Sequence, residues 1–164
     1  MVTIGGPTVS GRKRKWIAAL AVLYVGIMVY LLLCRRPWGA GLPYRQLLAE
    51  HLNLAPFRTI RRFIWVFTHS SNKQLLLHAS INIYGNIFLF LPLGLFPPLL
   101  WARMQRFWKT ALLATGVMVC VEVLQMLLLV GTCDIDDVML NVLGASMGYG
   151  AYKLLTRKER AAEE

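Results

Sequence analysis

Four apolar stretches dominate the chain, at residues 16–34, within 74–102, at 110–130 and at 135–155. Crossing a bilayer as a helix takes about 20 predominantly apolar residues, and each stretch approaches that length. The pattern predicts an all-α membrane protein, a bundle of four transmembrane helices joined by polar segments. The second stretch has no Lys, Arg, Asp or Glu between Gln74 and Ala102, yet it is not featureless. His78, Asn82 and Asn86 recur every fourth residue and so share one helical face. Unpaired polar groups are costly in hydrocarbon, so that face is expected to turn toward other helices or water. Pro92 removes a helical N–H, and Pro97 and Pro98 follow close behind. The expectation is a second span that is bent or broken, or partly re-entrant, and that stops short of Leu100.

The other spans carry similar stripes. Thr115, Glu122 and Gln125 fall on one side of the third, with Glu122 near mid-membrane. An ionisable group at that depth costs about 2.5–3.5 kcal/mol on insertion scales, which makes it a functional candidate by default. In the fourth, Asp134, Asp137, Asn141, Gly144 and Gly148 advance by three or four residues and form one line. Asp134 suits a helix cap and Asp137 the positive end of the helix dipole. Gly144 and Gly148 suit close helix packing. Asn82, Asn86, Glu122, Gln125, Asp137 and Asn141 are expected to meet in one polar pocket toward the outer leaflet. Glu122 and Asp137 are its candidate acid–base groups, and Asn82, Asn86, Gln125, Asp134 and Asn141 are candidate binding residues.

Charge adds orientation. Of the 18 Lys and Arg residues, 11 lie in segments on the side of the two termini and seven in the first loop, so the positive-inside rule places both termini in the cytoplasm. Residues 1–15 read as a basic N-terminus, 16–155 as the membrane domain and 156–164 as a charged tail. The basic first loop contains Phe57, Ile60, Ile64 and Phe67 at helical spacing, with Arg58, Arg61 and Arg62 in another sector and Pro56 at the expected start. That is the pattern of an amphipathic interfacial helix whose arginines meet anionic lipid. The composition, 57% hydrophobic and 16% charged with a net charge of +10, is too apolar for a soluble domain of this length. The basic residues flank spans and accompany no nucleic-acid motif, which argues against nucleic-acid binding.

The first stretch is longer than the apolar core of a signal peptide and lacks a small-residue cleavage site, so it is expected to be a retained span. Cys34, Cys120 and Cys133 have no metal spacing. Cys120 reads as a packing residue, and Cys34 and Cys133 both fall on the outer side, where a bridge is open to them. No cofactor motif is present.

Several blocks together carry a family resemblance. Residues 53–57 (NLAPF), 86–94 (NIFLFLPLG), 122–125 (EVLQ) and 131–148 (GTCDIDDVMLNVLGASMG) resemble, in order and spacing, the VanZ family of bacterial membrane proteins. The matching positions are Asn53, Pro56, Phe57, Asn86, Phe90, Pro92, Gly94, Glu122, Gln125, Asp134, Asp137, Asn141, Gly144 and Gly148. Cys133 and Asp136 fall where variation is expected, and the very basic first loop goes beyond the family pattern. The resemblance implies a bacterial cytoplasmic membrane and low-level resistance to teicoplanin-type glycopeptide antibiotics. Three mechanisms stay open at this point. One is binding of an anionic lipid or lipid-linked cell-wall precursor. Another is an enzyme acting on a lipid-linked envelope substrate through Glu122 or Asp137, and the third is a small transporter.

Overall fold

The computed structural model describes residues 11–34 and 43–163, without the side chains of residues 49, 50 and 158–163. The first ten residues and Arg35 and Arg36 of the basic first loop lie outside the described residues. The chain forms α1 (Gly11–Leu33), α2 (Tyr44–Glu50), β1 (Leu52–Asn53), α3 (Arg58–His69), α4 (Lys73–Leu100), a short 3-10 turn (Ala102–Met104), α5 (Phe107–Leu127), β2 (Cys133–Asp134) and α6 (Ile135–Glu163).

Helices α1, α4 and α5 are long and apolar enough to cross a membrane by length and composition. Helix α6, at 29 residues, extends roughly 43 Å at 1.5 Å per residue, beyond the ~30 Å of the hydrocarbon core. It does not join the three on composition, because Asp136, Asp137, Asn141, Ser146 and Lys153 interrupt its apolar surface. The expected count of four spans thus becomes three apolar helices and a fourth long, more polar one.

The packing fixes the direction of each helix. The Arg14 guanidinium donates to Leu100 O at 3.2 Å, joining the start of α1 to the end of α4. The Gln125 amide donates to Leu32 O at 2.9 Å, joining the end of α1 to the end of α5. Asn86 meets Asp137, and further along Gly144 lies on Ile87 and Gly148 on Leu91, so α4 and α6 run parallel. A core cluster of α1, α4 and α5 contains Met28, Leu32, Phe90, Met118 and Val121. Much of the outer apolar surface is exposed, as lipid solvent permits: Trp16, Val22 and Leu23 on α1, and Leu112 on α5.

Two expectations are corrected. Helix α4 continues unbroken through Pro92, Pro97 and Pro98 to Leu100. Its neighbours brace it. The Tyr24 hydroxyl of α1 donates to Leu89 O at 2.8 Å, one residue past Phe88, whose carbonyl Pro92 leaves without a helical N–H. At Gly94, α6 comes so close that a Cβ would lie 1.7 Å from Ala145 O, which braces the proline-bearing half of the helix. Cys120 does not pack inside the bundle: it is exposed on its surface, and Cys34, Cys120 and Cys133 are free thiols.

The first loop is tied to the third. Strands β1 and β2 pair in parallel, Leu52 with Cys133 and Asn53 with Asp134, and Cys133 N donates to His51 O at 2.7 Å. Helix α3 does form where amphipathicity predicts it. Its buried side is Phe63 and Val66, seated on Ala79, Leu76 and Ile83 of α4. Phe57, Ile64 and Phe67 are exposed, so this helix docks on its own bundle by one face and leaves a second apolar sector open. Pro56 precedes the helix rather than starting it, since the cap is Phe57, in a left-handed conformation at φ 62°.

Candidate functional site

The site is built at the end of the molecule shared by the first and third loops. Helix α5 stops in a tight reversal in which Leu129 adopts φ 53°. Leu129 N donates to Met126 O and Val130 N to Gln125 O, a Schellman-type ending that has Leu where Gly is usual. The reversal returns the chain over the end of α5, so that Asp134 N donates to Glu122 Oε2 at 3.0 Å. Asp134 then caps α6, its Oδ1 accepting from Asp136 N at 2.9 Å. Its other oxygen accepts from Asn53 Nδ2 at 2.9 Å and from the Thr59 hydroxyl at 2.5 Å.

Asp136, given little weight by the sequence, is fully buried at 0% exposure. Helix α3 begins after Ala55, Pro56 and Phe57, none of which has a side chain able to cap it. Its first N–H groups therefore need an acceptor from elsewhere, and Asp136 provides it. Oδ1 accepts from Phe57 N at 2.5 Å, and Oδ2 accepts from Thr59 N at 2.7 Å and Ile60 N at 3.0 Å. A capless helix start was the available signal, but its partner lies more than 75 residues away. Asn53, Thr59 and Tyr24 are further polar groups of structural consequence that were not singled out as site residues.

On the inner side of α6, Asp137 Oδ1 accepts from Asn86 Nδ2 at 2.7 Å, and the Asn82 side chain reaches the same carboxylate. Asn141, one turn on, is 1% exposed. Four carboxylates, Glu122, Asp134, Asp136 and Asp137, thus gather here without an ion pair to Lys or Arg among the described residues. Gln125 does not join them, since it binds the end of α1. Thr115 bonds back to Ala111 O within α5, and His78 packs edge-on against Phe63. Cys133 sits against the acidic group. Burial first, and then the charges of Glu122 and Asp134, push its thiol pKa above the ordinary 9.0. No group of three or more His, Cys, Asp or Glu among the described residues is arranged to hold a metal ion.

Arg58, Arg61 and Arg62 are exposed along α3. With Ala55, Pro56 and Trp65 they line an open groove of about 550 Å³. Among the described residues none of the three guanidinium groups makes an ion pair or side-chain hydrogen bond. The Trp65 ring is stacked on His69, with centroids 5.2 Å apart.

These features define a helical membrane protein with a buried acidic and amide cluster at one end and a cationic groove clamped beside it. A family model described as VanZ/LLP1 matches residues 21–156, and the chain belongs to that family. Neither curated proteins nor solved structures gave a match.

Proposed function

We propose that this protein is a four-span protein of the bacterial cytoplasmic membrane that lowers susceptibility to teicoplanin-type glycopeptides by engaging an anionic lipid or lipid-linked cell-wall precursor at the outer leaflet. Helices α1, α4, α5 and α6 are the spans, alternating in direction, with both termini in the cytoplasm. Family membership supports the link to teicoplanin. The observation that carries the mechanism is the groove in which Arg58, Arg61 and Arg62 converge without an acidic partner among the described residues. Guanidinium groups bind phosphate oxygens through forked hydrogen bonds. The exposed Ile64 and Phe67 beside them suit the acyl side of a headgroup layer.

The test compares teicoplanin and vancomycin susceptibility of a sensitive Gram-positive host expressing the protein or its Arg58→Ala/Arg61→Ala/Arg62→Ala variant at matched membrane levels. Protection against teicoplanin is expected from the first and not from the second. Equal protection from both would remove the groove from the mechanism.

A second reading has its own observation. Asp137 is held by neutral amides and Glu122 by one backbone N–H, so both carboxylates have capacity for acid–base chemistry on a lipid-linked substrate. It requires a chemically altered envelope lipid, detectable by mass spectrometry, that disappears with Glu122→Gln or Asp137→Asn.

A further inference from the structure

The buried side-chain atoms without a hydrogen-bond partner, among the described residues, are three, and all are carboxamide oxygens: those of Asn53, Asn82 and Asn141. A buried acceptor without a donor is costly, and a random shortfall would leave donors as well as acceptors unpaired. Here the deficit has one sign. The neighbouring amide N–H groups of Asn86 and Asn53 are directed at Asp137 and Asp134, which leaves oxygen lone pairs in excess.

Two of these oxygens belong to facing helices. The Asn82 amide N–H donates to Asp137 from α4, and its oxygen is left without a partner. Asn141 follows Asp137 on the α6 stripe that continues through Gly144 and Gly148. That stripe faces α4, since a Cβ on Gly144 would lie 2.2 Å from Ile87 O and one on Gly148 1.9 Å from Leu91 O. Asn141 is 1% exposed, so its unpartnered oxygen points into the interface rather than to lipid.

We propose that Asp137, Asn82 and Asn141 form a sodium-ion site between α4 and α6, independent of the lipid-binding reading. Carboxylate and carbonyl oxygens are ligands for hard cations, and the cluster offers neither sulfur nor imidazole. The proposed ligand set, Asp137 with two carboxamides, has one formal negative charge and neutral oxygens, which a monovalent ion balances. Charge balance matters most where the dielectric is low. The glycine-mediated contact of the two backbones favours the smaller of the common monovalent cations.

The experiment uses the full chain in detergent, with thermal unfolding in NaCl, KCl or choline chloride at equal ionic strength and saturable binding of radioactive sodium as a second readout. Sodium alone is expected to raise Tm and to bind. Asp137→Asn and Asn141→Leu are expected to weaken binding by about tenfold or more, the scale of changes made around metal ligands. Asn141→Leu decides the matter if the Asp137 variant does not fold, because the oxygen it removes makes no bond to protein. Equal Tm in the three salts with no bound sodium, as a buried water in the same place would give, overturns the proposal. So does sodium binding undiminished in both variants.

Discussion

Replacing Asp136 by Ala tests how the cationic helix is held. The carboxylate is fully buried and accepts three N–H bonds from the first turn of α3. A hydrogen bond to a charged group contributes about 1.5–3 kcal/mol. Phe57 and Arg58 lie at the surface, so water replaces part of what is lost, and the expected cost of the three together is about 3 kcal/mol rather than their full sum. That cost falls on the local opening of α3, whose remaining anchors are Phe63 and Val66 on α4 and the Thr59 hydroxyl on Asp134. At about 1.4 kcal/mol per factor of ten, amide hydrogen exchange at Phe57, Thr59 and Ile60 should accelerate about 100-fold. Exchange in the middle of α5 should not change. Asp136→Asn, which keeps one acceptor oxygen, should fall between wild type and Ala. Unaltered protection at these three amides in a folded Asp136→Ala variant would refute the argument that this carboxylate caps α3.

Further outcomes follow from the same geometry. Gly144→Ala and Gly148→Ala should each destabilise the bundle by about 1–3 kcal/mol or more, since the new Cβ would meet backbone carbonyls that cannot rotate away. Gly150→Ala and Gly116→Ala, with nothing within 4 Å, should be neutral or stabilising by up to about 1 kcal/mol in the same unfolding assay. Gln125→Leu should cost about 1–3 kcal/mol by leaving Leu32 O without its donor, read as a lower unfolding midpoint in detergent. In a Cys34→Ser/Cys120→Ser background, alkylation of Cys133 should be slow at pH 8 and keep rising through pH 9. The raised thiol pKa lowers the thiolate fraction below that pH, and a rate that levels off at or below pH 8 would contradict it.

What the sequence made legible was periodic. Residues 16–34, 74–102 and 110–130 announce α1, α4 and α5 because burial in hydrocarbon acts on every residue of a span. The stripe through Asp137, Asn141, Gly144 and Gly148 was readable for the same reason, and it is the face that α6 turns to α4. The prolines misled as to a break, because a proline's effect depends on the packing around it, and here α6 lies directly on the proline-bearing half of α4 at Gly94. In α3 the helical spacing was visible, but which sector docks was not. Phe63 and Val66 are buried and Ile64 and Phe67 are not, a choice made by the surface of α4 rather than by α3. Asp136 was illegible for a related reason, since its partners are backbone N–H groups and a backbone group has no letter in the sequence.

The four carboxylates divide by what already occupies them. Asp134 and Asp136 spend both oxygens on the Asn53 amide, the Thr59 hydroxyl and four backbone N–H groups that tie the loops to α3 and α6. An oxygen so surrounded has few lone-pair directions left for a ligand, and its replacement should be felt as loosened structure. Asp137 and Glu122 are held by fewer and simpler contacts, amides from α4 in one case and a single N–H in the other. Neither is neutralised by a Lys or Arg among the described residues. If these buried carboxyl groups served only as hydrogen-bonding glue between helices, an amide of the same shape in their place would serve as well. Glu122→Gln and Asp137→Asn therefore separate the two roles: a variant that folds as well as wild type but no longer protects assigns its carboxylate to function, and one that folds and protects assigns it to packing.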